Sequence, residues 1–228
     1  MNKKKVLLVV LAMVLVCALS VMGTMALLTE QRGTVTNTFV AAVPGGEQFV
    51  TNFEIKEYKV AADDAGNYDY VLESGAKVET NANSYIVTPG VTLPKDAFVE
   101  LSRTNTTPAY LFIEVDNNLD STAFSMGVAS AWGKLDGVTG NNGGDVYVLG
   151  TAAAPTVLKN VTNGEYHIID GNKVTVDNNA VLNITKDSTD TINFYAYICQ
   201  ATVAKADGTN TSNPAEVFAI CFPAQSGN

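Results

Sequence analysis

The segment "AYLFIEVDN", Ala109–Asn117, decides the fold class. Leu111, Ile113 and Val115 recur with a period of two, while Tyr110, Phe112, Glu114 and Asp116 share the opposite face. That is the spacing of a β-strand. The aliphatic trio is expected to enter a core, with Tyr110 and Phe112 forming a second, shallower layer. In "TINFYAYICQATVA", Thr191–Ala204, the row Ile192, Phe194, Ala196 and Ile198 opposes Asn193, Tyr195, Tyr197 and Cys199. Both segments read as central strands, and their aromatic rows as packing surfaces in preference to a ligand platform.

Working outward, "EQFVTNFEIKEYKV", "NSYIVTPG", "AFVELSRTN", "DVYVLG", "EYHIID", "NKVTVDN", "AVLNITKD" and "AEVFAICF" alternate or enrich β-branched and aromatic residues, so each reads as a strand. Between the strands stand "DDAGN", "TPG", "TGNNGGD", "TNGE", "DGN" and "KADGTNTSNP", all of which carry turn chemistry. The least strand-like stretch, "LDSTAFSMGVASAWGKLDGVTG", suits a short helix or an ordered loop around Trp132. Many short strands at this spacing predict an all-β protein, an antiparallel sandwich or barrel, with one domain over residues 44–228.

The N-terminus carries a different signal. Lys3, Lys4 and Lys5 precede an almost wholly apolar run, Val6 to Val21, and Thr24 and Ala26 place small residues at −3 and −1 of a cut before Leu27. These are the parts of a secretory signal peptide, residues 1–26, expected to be helical. The apolar run is slightly short of the ~18 residues that favour a spanning helix, so an uncleaved signal is the only membrane contact expected. Val16 before Cys17 does not suit a lipobox, and Cys17 reads as part of the apolar run.

The chain has a formal charge of −9, from 14 basic and 23 acidic residues. Loss of the three N-terminal lysines leaves 11 basic residues and a charge of −12. Such a balance repels phosphate backbones and anionic lipid, so nucleic-acid binding is not expected. Cys199 and Cys221 are an even pair in an exported chain, which permits a disulfide; two separate buried thiols on neighbouring strands are the alternative.

Catalytic constellations fail for want of residues. His167 is the one histidine, so H-E-x-x-H cannot be built, and no G-x-S-x-G elbow accompanies it. "NNGGD" lacks the Lys-Ser/Thr and the helix that a P-loop needs. The oxygen-rich "DDAGNYD" and "DNNLD" suit calcium, but they lack EF-hand spacing and read equally as solvated turns. Asn105, Asn160, Asn183 and Asn210 begin matches to the N-glycosylation pattern that an Asn/Thr-rich chain produces by chance. No enzyme activity, cofactor or metal is expected.

"GTMALLTEQRGTVTNTFVAA" resembles the signal-to-mature junction of the TasA/CalY (camelysin) family, secreted bacterial proteins processed by a SipW-type signal peptidase. "VTPGVTLPKDAFVELSRTNTTPAYLFIEVDNN" is similar to that family's Pro-Gly, lysine-bearing strand and Pro-Ala-Tyr turn; "AWGKLDG", "DVYVLG" and "YAYICQA" resemble its later strands. The chain departs in Leu27-Leu28, where an aromatic is frequent, and in its two mature cysteines. The resemblance implies a jelly-roll-like sandwich and, as in biofilm members, extracellular fibres made by donating the mature N-terminal strand to the next subunit.

Residues 27–43 are then an arm whose Leu27, Leu28, Val35, Phe39 and Val40 can pair with an open sheet edge and fill a neighbour's groove. The signal peptide would block that arm until cleavage. Equally, Thr34–Ala42 can be the first strand of the chain's own sandwich. The expected function is a secreted structural protein of the extracellular or biofilm matrix, with itself, other matrix proteins and the signal peptidase as partners. A monomeric adhesin or carbohydrate-binding sandwich using Tyr68, Tyr70 and Trp132 is the alternative. A camelysin-like metallopeptidase is a further one.

Overall fold

A computed structural model describes residues 50–104, 106–178 and 190–223, and the backbone of 37–41. The signal segment, the cleavage residues Thr24, Ala26 and Leu27, the arm residues Leu28 and Val35, "AVLNITKD", Asn105 and Asn183 lie outside the described residues. The strands run in chain order as β1 (Asn37–Ala41), β2 (Asn52–Tyr58), β3 (Val60–Ala62), β4 (Tyr68–Tyr70), β5 (Leu72–Glu73), β6 (Ala76–Lys77) and β7 (Glu79–Thr80). They continue as β8 (Thr92–Pro94), β9 (Ala97–Arg103), β10 (Ala109–Asn117), β11 (Phe124–Ser125), β12 (Trp132–Thr139), β13 (Asp145–Leu149) and β14 (Val161–His167). The last are β15 (Lys173–Val176), β16 (Ile192–Gln200), β17 (Val203–Ala204) and β18 (Asn210–Thr211), before a helix, α1 (Pro214–Cys221).

Three sheets carry the architecture: β1-β16-β10-β13-β12, β14-β9-β2-β7 and β11-β15-β8. Leu111, Ile113 and Val115 of β10 share one core with Phe194, Ala196 and Ile198 of β16, Val99 and Leu101 of β9, Ile55 of β2, and Val174 and Val176 of β15. The five-stranded sheet therefore packs against the other two, and the protein is an all-β sandwich. Its long pairings are antiparallel, apart from that of β1 with β16.

The opposite face of the five-stranded sheet is also buried, contrary to the shallow layer expected there. Tyr110, Phe112, Val146, Val148, Tyr197 and Cys199 form a second core under Val217, Phe218 and Phe222 at the C-terminal end. The cover is α1, so "AEVFAICF" is a helix and not a strand. The local reason is a strong start signal: the Asn213 side chain accepts from Ala215 N and Glu216 N, and Pro214 occupies the first turn. Lys205 and Thr211 bond the Glu216 carboxylate and hold it below the usual range.

A disulfide joins Cys199 to Cys221 and pins α1 to β16 across 22 residues. The double substitution Cys199→Ala with Cys221→Ser should lose about 3 kcal/mol, the loop-closure value for such a span. Urea denaturation of the two proteins measures it. An unchanged midpoint would show that packing alone holds the helix.

Three other segments depart from the sequence reading. "NSYIVTPG" keeps strand-like alternation, burying Asn83, Tyr85 and Val87, but forms no ladder. "TNGE" is no turn; it is a bulge within β14, where the register shifts between Val161 and Gly164 and Asn163 takes φ 47°. Trp132 opens strand β12, and its indole N–H donates to His167 O at 2.7 Å, tying the two sheets together.

Candidate functional site

Residues 37–41, expected either within a donor arm or as the first strand of the chain's own sandwich, form the edge strand β1 of the five-stranded sheet. β1 pairs in parallel with β16, from Asn37 opposite Phe194 to Ala41 opposite Ile198. Phe39 and Val40 thus stand at the Ala196 and Tyr197 positions. On its other side β16 runs antiparallel to β10 over its whole length. A parallel neighbour cannot be reached by a tight hairpin. It must arrive by a crossover from another part of the chain, and here the next strand, β2, lies in the four-stranded sheet. Removing β1 would leave the outer backbone groups of β16 unpaired, a template for another strand.

The lone histidine lies on the four-stranded sheet, where β9 and β14 pair His167 with Phe98. Its Nδ1 is 2.6 Å from Asp96 Oδ1, and its Nε2 is 3.1 Å from Glu165 Oε1. Asp96 is buried and its other oxygen accepts from Lys77 Nζ at 3.1 Å. Lys77 Nζ lies over the rings of both Tyr58 and Tyr70, 4.5 and 3.8 Å from their centroids, in the corner of this edge-on pair. Tyr58 donates to Glu165 Oε1 at 3.1 Å, and burial together with that carboxylate pushes its hydroxyl up to about 12. Burial and Asp96 do the same for Tyr70.

An oriented Asp–His pair is half of a hydrolase base. Here, however, Nε2 faces a carboxylate and not a hydroxyl or thiol nucleophile. The cluster is an ion-pair and aromatic network that continues sideways into Lys56, which contacts Glu54, Glu79 and Glu100. Its outer pairs, half-exposed, contribute modestly to stability, while Asp96 is a buried carboxylate held by Lys77 and His167.

The acidic loops are occupied by their own turns. Asp63 Oδ1 accepts from Ala65 N and Asn67 N, and Asp120 Oδ1 accepts from the backbone and hydroxyl of Thr122. Asp116 is bonded by Asn118 and Asn193. Among the described residues no three His, Cys, Asp or Glu side chains gather as metal ligands. The aromatic residues considered for ligand binding are packed as well. Trp132 is buried in the main core, Tyr68 lies against Tyr85 with centroids 5.1 Å apart, and Tyr70 meets Tyr58 edge-on.

Sequence reasoning missed the charges inside the protein. Glu57, Lys95, Asp96, Arg103 and Glu114 are all buried. Arg103 donates to Leu158 O and Thr107 O, anchoring the turn that enters β10. The signal that could have found them was local: "LPKDAF" sets Lys95 and Asp96 between apolar strand residues, where a solvent-facing charge has little room. Among the described residues no helix is long and apolar enough to cross a membrane. Comparisons with protein-family models, characterised proteins and solved structures return no match.

Proposed function

We propose that this chain is a secreted structural protein of the extracellular matrix that self-associates into fibres by donating its N-terminal strand. The observation that carries the reading is the place of β1: an edge strand, parallel to its neighbour, reached by a crossover and not by a hairpin. The same edge can be filled by residues 37–41 of a second copy without changing any other strand pairing. Exchange of an identical element is a low-cost route to association, and a head-to-tail contact that does not close makes an open filament. The basic and apolar N-terminus, the acidic mature chain and the resemblance to the TasA/CalY family support export and matrix assembly. A SipW-type peptidase would release the arm, and other matrix proteins are further partners.

The test compares purified protein beginning at Leu27 with protein beginning at Gly45. Size-exclusion chromatography and negative-stain electron microscopy should show fibres from the first and folded monomers from the second. Folded monomers from both would overturn the proposal and favour a monomeric adhesin.

A further inference from the structure

Between β8 and β9 the chain passes through Lys95 and Asp96, whose side chains take different partners. Asp96 meets Lys77 and His167, while Lys95 enters the interior and touches the Glu57 carboxylate of β2 through Oε2. The Lys95 and Glu57 side chains are 3% and 1% exposed. The Tyr85 ring lies 5.7 Å from Lys95 Nζ, and its hydroxyl donates to Pro94 O at 2.5 Å. Leu93 and Ala97, two positions either side of Lys95, Ile55, two before Glu57, and Tyr85 all belong to the main apolar core, so both side chains stand on segments whose neighbours are buried there.

As an ion pair this contact is poorly served. Burial pushes the Lys95 amine below its ordinary range, against the pull of Glu57. Among the described residues Glu57 Oε1 accepts no hydrogen bond. An ionised carboxylate with an idle oxygen is expensive in a dry core, and a buried orphan atom requires an explanation. Shifting one proton from the ammonium to the carboxylate leaves a neutral amine against a neutral carboxylic acid. That is a nucleophile held beside an acyl carbon with water excluded, the arrangement in which proximity is most effective.

We infer that Lys95 and Glu57 condense into an intramolecular amide. Nζ attacks Cδ, the Nζ–Cδ bond forms and the Cδ–Oε2 bond breaks. Oε2, already carrying the transferred proton, takes a second proton from Nζ and leaves as water. Nothing is oxidised or reduced, and no co-reactant is required. Oε1 becomes a neutral amide oxygen, for which an unfilled hydrogen bond costs less than for a buried charge. The product closes a loop between residues 38 apart in sequence and ties β2 to the β8–β9 junction. Like a disulfide it would restrict the unfolded chain, yet thiol reductants would not open it. This inference is independent of fibre assembly.

Intact mass and a peptide map of the purified mature protein test it. The mass should fall below that of the disulfide-bonded sequence by one water. A protease specific for lysine should leave Lys95 uncut, with its peptide joined to that of Glu57. Lys95→Met should restore the full mass; should that variant not fold, the wild-type map still decides. A wild-type mass without the water loss, together with linear Lys95 and Glu57 peptides, would overturn the inference. So would loss of ammonia with Lys95 joined to Asn83, the buried amide that bonds Tyr58 O and Val60 N nearby in β2 and β3.

Discussion

Glu114→Ala is expected to destabilise the protein by about 3–5 kcal/mol, because it strands several buried neutral donors at once. Glu114 is fully buried in the second core, on the same face of β10 as Phe112. Oε1 accepts from Asn142 N at 2.7 Å and Gly144 N at 3.0 Å; Oε2 accepts from Tyr197 OH at 2.6 Å and Asn142 Nδ2 at 3.1 Å. The "TGNNGGD" turn thus wraps the carboxylate: Gly140 is required by that approach, Gly144 by the nearby β10 backbone, and Gly143 by its φ of 90°. A Cβ on Gly140 would stand 2.0 Å from the Glu114 carboxyl carbon, and one on Gly144 would stand 2.6 Å from Val115 O.

Removing the carboxylate leaves several donors aimed into the protein without an acceptor, each costing about 1–3 kcal/mol. Urea denaturation measures the loss, and a change below about 1 kcal/mol would show that the turn finds water or other partners. An independent readout is Tyr197, whose hydroxyl is pushed up first by burial and then by Glu114. In Glu114→Ala it should ionise at lower pH than in the parent, because the neighbouring negative charge is gone.

Phe218→Ala should cost about 3–5 kcal/mol, as expected for emptying an aromatic site in a core. Phe218 is buried, and its ring lies 5.4 Å from Phe112, 5.3 Å from Tyr197 and 5.3 Å from Phe222. It is the central contact between α1 and the sheet. Calorimetry of the variant with the disulfide intact isolates the packing contribution. If stability changed by less than about 1 kcal/mol, the helix would be a surface appendage held by sulfur alone.

How much of this was legible depends on the range of the interactions. "AYLFIEVDN" became β10 over the same residues, 109–117, because period-two alternation and β-branched content are local properties. Two strands of the five-stranded sheet, β13 and β16, followed from the same kind of pattern. The helix was readable in principle from Asn213-Pro214, but its apolar residues suited either element, and the second core beneath it settled the matter. The bulge at "TNGE" was hidden because Asn and Gly serve turns and bulges alike.

The interior charges could not be paired from the sequence. Glu57 and Lys95 are 38 residues apart, Asp96 and His167 71, and Glu114 and Tyr197 83. Residue type and spacing within single segments were enough for the all-β class, the positions of β2, β9, β10, β13 and β16, and the basic-then-apolar pattern at the N-terminus, but not for β12 or the bulged β14. Tertiary structure alone decided that both faces of β10 are buried, that β1 joins an edge in parallel, and that Lys95 meets Glu57. Those outcomes depend on which distant surfaces exclude water from one another, and only the folded chain brings them together.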